Sequence, residues 1–310
     1  MIAISTAWIP EDGWPIEKVF TALDVLEPEA IELNYRVHPL DIEGVRRQAE
    51  RRGIVITSLH NICSANPDTL RHDDRYGDMI ASLDENTRRL GVRYLRETAE
   101  AARALGARAV VIHSGSVEAL KQSPTYSHSM RRATQANDPS IVAVHLPDLI
   151  RERARLAPQH FNQLISSLRE VCPDFPDLRF GLEIRYHFYS LPDFDELDMI
   201  FREADCANLG YWHDCGHAQV QENLGIRRHE DWLKRYQNRL VGVHLHGMEN
   251  LLLDHQAPRE GNMDFAMISR YVRADTVLVI EASPSNSAAA MLAGKRYLET
   301  VFRNGTGATK

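Results

Sequence analysis

The chain reads as an α/β protein of the closed (β/α)8-barrel type, a single domain over residues 1–310 with long loops after its third and fourth strands. Two patterns predict this. Eight short runs of strand-like composition alternate with longer stretches whose apolar residues recur at helical spacing, as βα units in a parallel sheet require. Polar residues also gather at the ends of those runs, where a barrel would bring them together at one face. A chain of 310 residues has room for a barrel of about 250 residues plus insertions.

Taken in order, the runs are IAIS near Ile2, AIEL at 30–33, IVITSLH at 54–60 and AVVIH at 109–113. The second half supplies FGLEI at 180–184, LGYW at 209–212, LVGVHLH at 240–246 and VLVIE at 277–281. Helical spacing marks 16–26, 42–52, 83–105 and 146–171, then 194–204, 230–236, 265–272 and 288–302. Gly53 and Gly106 stand just before the third and fourth runs, where a helix C-terminus calls for a residue tolerant of positive φ. Right-handed crossovers of this kind close most naturally into a barrel. Two connections exceed a plain unit: 63–75, polar and charged, and 117–147, rich in Ser, Thr, Asn, Pro and His. Both follow strand C-termini, so both are expected to cover the pocket. The tail 304–310 is expected to fray.

Composition excludes several classes. Apolar residues make up 44% and charged residues 25%, the balance of an ordinary globular protein. No run approaches the roughly 20 apolar residues of a membrane span, and Pro10, Glu11 and Asp12 interrupt the apolar N-terminus before it could act as a signal segment. Four dispersed cysteines without a CxxC pair signal neither a disulfide framework nor an all-cysteine zinc site, and the expected home is the cytoplasm. A formal charge of −7 speaks against a nucleic-acid partner.

The fourteen histidines are not scattered evenly. From the fifth run onward, the strand ends carry Glu183, then Asp214 and His217, then His244 and His246, then Glu281, each separated by about one βα unit; His60 and His113 close runs three and four. Any one such acidic residue is more often a helix cap or a loop group than a ligand. The ordered set is different, because several carboxylates converging in a barrel mouth are costly unless a cation compensates them. A mixed N/O donor set suits a divalent metal ion: Mn, Zn, Co or Mg. Glu32 and Arg185 read as rim residues, and Trp8 and Tyr35, in early βα loops, are expected to wall the pocket. His38, His72, His128, His145, His160 and His229 read as surface or structural.

LEIRYHFY around Glu183, YWHDCGHAQ around Asp214 and His217, VHLHGMEN around His244, DHQAPREGNMDF, and VIEAS at Glu281 together resemble the xylose isomerase-like TIM barrel superfamily, which includes sugar phosphate isomerases and epimerases and the endonuclease IV family. Similarity to the keto-sugar epimerases implies one divalent metal on Glu183, Asp214, His244 and Glu281. Similarity to endonuclease IV implies additional ligands at His60, His113, His217 and His255. In that second pattern a D-x-H motif precedes the run into G-x-x-D; here Leu253 stands at the aspartate's place and Asp254 falls one residue late.

The leading expectation is therefore a metal-dependent isomerase or epimerase of a sugar-like hydroxycarbonyl compound. Glu183 and Glu281 would serve as base and acid, with His217, His246, Trp8 and Arg185 around the substrate. The alternative is a metal-dependent phosphodiester hydrolase of the endonuclease IV type, and a non-catalytic binding barrel ranks last. Substrate identity and homo-oligomerisation stay open.

Overall fold

A computed structural model describes residues 1–68 and 77–305. Its strands are β1 (Ala3–Ser5), β2 (Ala30–Leu33), β3 (Val55–His60), β4 (Ala109–Ile112), β5 (Arg179–Glu183), β6 (Leu209–Asp214), β7 (Leu240–Leu245) and β8 (Val277–Ile280). They close in sequence order, every neighbour parallel, with β8 returning to β1. The expected barrel is therefore present.

Helices α1 (Ile16–Leu23), α2 (Ile42–Arg52) and α3 (Glu85–Ala104) follow the first three strands. After β4 come α4 (Glu118–Lys121), α5 (Pro124–Ala136), α6 (Ser140–Ala143) and α7 (Leu146–Val171). The ring is completed by α8 (Glu196–Glu203), α9 (Cys215–Asn223), α10 (His229–Tyr236), α11 (Phe265–Ser269) and α12 (Ala288–Gly305). Composition alone made 117–147 a loop. Much of it is helical instead: Ser123 caps α5 by accepting from Tyr126 N, Pro124 occupies the first helical position, and Asn137 closes the helix at φ 50°. The helix α9 was not anticipated as an element of its own; it starts directly at Asp214, whose carboxylate accepts from His217 N at 2.7 Å. Part of the polar connection 63–75 and the end of the tail 304–310 lie outside the described residues, although α12 continues through Gly305. Among the described residues no helix is long and apolar enough to cross a membrane.

Gly53 and Gly106 adopt φ of 67° and 70°, the left-handed turns expected before β3 and β4. Most of the core lies between strands and helices. A smaller cluster packs within the barrel, where Ala3, Ala30, Ala109, Val111, Val241 and Val279 surround the fully buried Trp212. Small residues on the flanking strands make room for that ring. A Cβ on Gly242 would stand 2.3 Å from the Trp212 indole, and one on Gly181 would stand 2.8 Å from it. Trp212 thereby fills the barrel interior beside His244, its ring 5.1 Å from the imidazole. Register shifts fall between Ile31 and Glu32 and between Tyr211 and Trp212. Such irregularities re-aim the side chains that follow, here Glu32 and the end of β6.

Candidate metal centre

Strand ends supply the donors. Glu183 and Asp214 are the last residues of β5 and β6, His244 lies one residue from the end of β7, and Glu281 directly follows β8. One donor atom from each of these four lies within 4.8 Å of the others. The His244 Nδ1 atom is the focus: Glu281 Oε2 stands 3.1 Å away, Glu183 Oε1 3.4 Å and Asp214 Oδ2 3.6 Å. Behind the ring, His244 Nε2 lies 3.1 Å from Glu32 Oε1, and Glu32 Oε2 accepts from Ser58 Oγ at 2.7 Å. Donation from Nε2–H to Glu32 leaves the Nδ1 lone pair facing the carboxylates, the tautomer a metal ligand needs. Glu32 is thus no rim residue: it is fully buried, with its carboxylate against the rear of the imidazole.

Burial opposes charge on all these groups, and mutual contact overcomes it. The imidazoles of His113 and His244 hold the Glu183 carboxyl well below the usual range, and His217, His246 and His244 do the same for Asp214. Burial likewise pulls His244 down, but Glu281, Glu32 and Glu183 raise it well above an ordinary histidine. The carboxylates around His244 therefore favour a positive charge at this position. One imidazole nitrogen and three carboxylates fit a divalent cation such as Mn, Co, Zn or Mg.

Two further donor groups adjoin the first. His60 Nε2 and His113 Nε2 each lie 2.9 Å from Glu183 Oε2, and His60 Nδ1 is engaged by Asn61 O at 3.1 Å. Burial and the neighbouring Arg185 push His113 down to about 4, which keeps its ring neutral. On the other flank, His217 Nδ1 bonds Ile184 O at 2.8 Å and His255 Nδ1 bonds Glu281 O at 3.0 Å. In the neutral form of each ring this leaves Nε2 with its lone pair; burial opposes charge on His255, but Asp254 and Glu281 raise it to about 9 in the absence of a cation. Those two Nε2 atoms face Asp254 Oδ2 at 3.8 and 4.0 Å, a buried oxygen without a hydrogen-bond partner. Asp214, His217 and His255 also satisfy the spacing of a cation site. The aspartate that sequence spacing placed one residue late thus stands beside this group, next to His255 in the left-handed region at φ 54°.

Two substrate-side expectations need correction. His246 is fully buried with both ring nitrogens committed: Nε2 to Asp214 Oδ1 at 3.0 Å, and Nδ1 as acceptor from His255 N at 2.9 Å. It positions Asp214 and has nothing left for a substrate oxygen. Trp8 does not line the cavity above the donors; its indole N–H donates to Asn286 O at 2.9 Å, tying the loop after β1 to the segment after β8. That cavity, of about 230 Å3, is walled by Asn34, Tyr35, Arg36, Arg185, Ser283 and Pro284. His60, His113, Glu183, His217, His255 and Glu281 open onto it. Tyr35 and Arg185 both line it. The long connection after β4 buttresses the mouth without lining it: Val117 N bonds Tyr189 O, and Asn137 Oδ1 accepts from Leu251 N at 2.8 Å. Sequence spacing had no signal for the role of Glu32, which lies 212 residues from its partner His244.

Comparison with known proteins agrees with this architecture. The profile of a family described as "Xylose isomerase-like TIM barrel" matches residues 23–301. No curated protein matches the chain. Among solved structures, an L-ribulose 3-epimerase superposes with a TM-score of 0.68 at 16% identity, covering 98% of this chain and 95% of that one. A D-psicose 3-epimerase from Clostridium cellulolyticum H10 gives 0.67 at 12% identity over 97% and 98% of the two chains. The 3-keto-D-glucoside 4-epimerase YcjR from E. coli gives 0.60 at 17% over 96% and 98%. At these identities the likeness establishes the fold.

Proposed function

The chain belongs to the xylose isomerase-like TIM barrel family, and we propose that it is a metal-dependent isomerase or epimerase of a small sugar-like hydroxycarbonyl compound. One observation carries the reading: the carboxylates of Glu183 and Glu281 both converge on His244 Nδ1 at the floor of a cavity of about 230 Å3, a volume suited to a small molecule. When bound, a divalent ion supplies Lewis-acid stabilisation of negative charge developing on substrate oxygens. The protein's own groups do the rest. Glu183 and Glu281 are the two carboxylates that open onto the cavity, so one removes the proton from the carbon beside the carbonyl and the other returns it at the neighbouring atom or opposite face. His217 Nε2 and the Arg185 guanidinium orient oxygens at the wall, and the indole of Trp212 fills the barrel interior beside His244. The epimerase activities named for the structural neighbours are consistent with this reading.

A second reading, hydrolysis of a phosphodiester, is favoured by the donor group of His217, His255 and Asp254, with its unpartnered Oδ2. It would use several metal ions to bracket a phosphate. One pair of assays separates the two. Incubation of metal-loaded protein with a panel of ketoses and polyol ketones in heavy water, followed by NMR, is expected to show exchange of a carbon-bound proton. No exchange across the panel, together with nicking of abasic-site DNA, would replace the first reading with the second.

A further inference from the structure

A side cavity of about 180 Å3 lies next to the main one and shares Arg185 with it. Aromatic rings of Tyr186, Phe188, Phe194 and Trp232 form much of its wall, and Arg153, Arg227, Asp193 and Asp195 bring charge to it. The carboxylates are already committed. Asp193 Oδ2 pairs with Arg153 at 3.2 Å while its Oδ1 accepts from Asp195 N and Glu196 N, and Asp195 pairs with Arg235 at 2.7 Å. Arg153 is committed as well, to Glu196 at 2.6 Å and to Ser190 O at 2.7 Å.

Two guanidinium groups are left over. Among the described residues Arg227 has no hydrogen bond or ion pair, and its cation rests on the face of Phe194, 4.1 Å from the ring centre. Among the described residues Arg185 has no carboxylate within salt-bridge distance; its Nη1 contacts the His113 ring instead, and Asp78 and Glu183 act on it from farther away. The Nε atoms of both are buried without a partner. Two guanidinium groups without a direct carboxylate partner among the described residues, lining one small, aromatic-walled space, attract an acceptor-rich anion.

We propose that this side cavity binds an anionic group, a carboxylate or a phosphate, between Arg227 and Arg185. The group belongs either to the substrate, entering past Arg185 from the main cavity, or to a separate small anion. Either source uses the same fork-shaped donors, and the site stands whether or not the proposed isomerisation is correct.

Calorimetric titration of chelator-treated protein with inorganic phosphate and with acetate, at constant ionic strength in chloride, tests it. Removing metal first prevents phosphate from binding at the metal centre. Saturable binding of at least one anion is expected, weakened tenfold or more in Arg227→Ala and partly restored in Arg227→Lys. Circular dichroism checks that both variants, altered at a half-buried position, are folded. Absence of binding by either anion, or binding unchanged in folded Arg227→Ala, overturns the proposal. The source follows from titrating metal-loaded protein with D-fructose and D-fructose 6-phosphate. Tighter binding of the phosphorylated sugar that disappears in Arg227→Ala supports the site as part of substrate recognition. Phosphate that binds without altering the affinity for either sugar supports it as the site of a separate anion.

Discussion

Replacing Glu32 with glutamine tests how the metal centre is supported. Glu32 touches no cavity; it accepts from Ser58 Oγ at 2.7 Å and lies 3.1 Å from His244 Nε2, both partners fully buried. Burial would favour its neutral form, yet the neighbouring His244 and His60, with the Ser58 hydrogen bond, keep its carboxyl below the ordinary value and hence ionised. The carboxylate draws the Nε2 proton rearward, which fixes the ring's orientation and raises the basicity of Nδ1. Glutamine preserves shape and can still accept one hydrogen bond, but the charge is gone. Loss of such a supporting partner typically weakens metal affinity by about 10–100-fold, equivalent to roughly 1.4–2.7 kcal/mol. The assay is competition for Mn between the protein and a calibrated chelator, read by the electron paramagnetic resonance of free Mn, with circular dichroism to confirm folding. A folded Glu32→Gln protein whose Mn affinity stays within threefold of the parent would refute the role assigned to this carboxylate. It would also mean that the Glu183, Asp214 and Glu281 cage alone orients His244.

Three other outcomes are expected. Glu281→Ala removes both a donor and one of the two carboxylates that open on the cavity, so turnover in the heavy-water assay should fall by at least 100-fold; retained activity would remove Glu281 from the machinery. Gly216→Ala places a Cβ 2.1 Å from His246 Cε1 and 2.9 Å from Asp254 Cβ, so His246 must shift off Asp214; a loss of about 1–3 kcal/mol in urea unfolding is expected, along with weaker metal binding, and a neutral result would show that the ring moves freely. Burial pushes His229 down to about 4, against an ordinary 6.5, so between those values the unfolded chain binds a proton that the folded chain refuses. Stability from this group is complete above pH 6.5 and is lost as pH falls toward 4, at up to about 1.4 kcal/mol per pH unit. Urea unfolding at pH 7.5 and pH 5 should therefore show a smaller acid loss in His229→Gln than in the parent, and equal losses would contradict a neutral buried His229.

Much of the barrel was legible because its signals are local. The βα alternation is written in short windows, and a strand end is a position that composition marks, so Glu183, Asp214, His244 and Glu281 could be named without coordinates. The same reasoning reached His60, His113 and His217, whereas His255 came from the family resemblance. The long connection after β4 was misjudged because its Ser, Asn and Pro residues were weighed as loop formers, while in place they act as helix caps: Ser123 and Pro124 open α5 and Asn137 closes it.

Sequence by itself thus determined the repeat and the closure, and named most of the side chains that gather at the barrel mouth. Tertiary structure alone decided what stands behind each donor: Glu32 behind His244, His246 behind Asp214, Asp254 between His217 and His255. It also moved Trp8 from the pocket wall to a strut on Asn286. The physical reason is range. A side chain's face on a strand follows from its immediate neighbours, whereas a hydrogen bond near 3 Å between β2 and β7, three strands apart across the β8–β1 seam, exists only once the whole cylinder has closed.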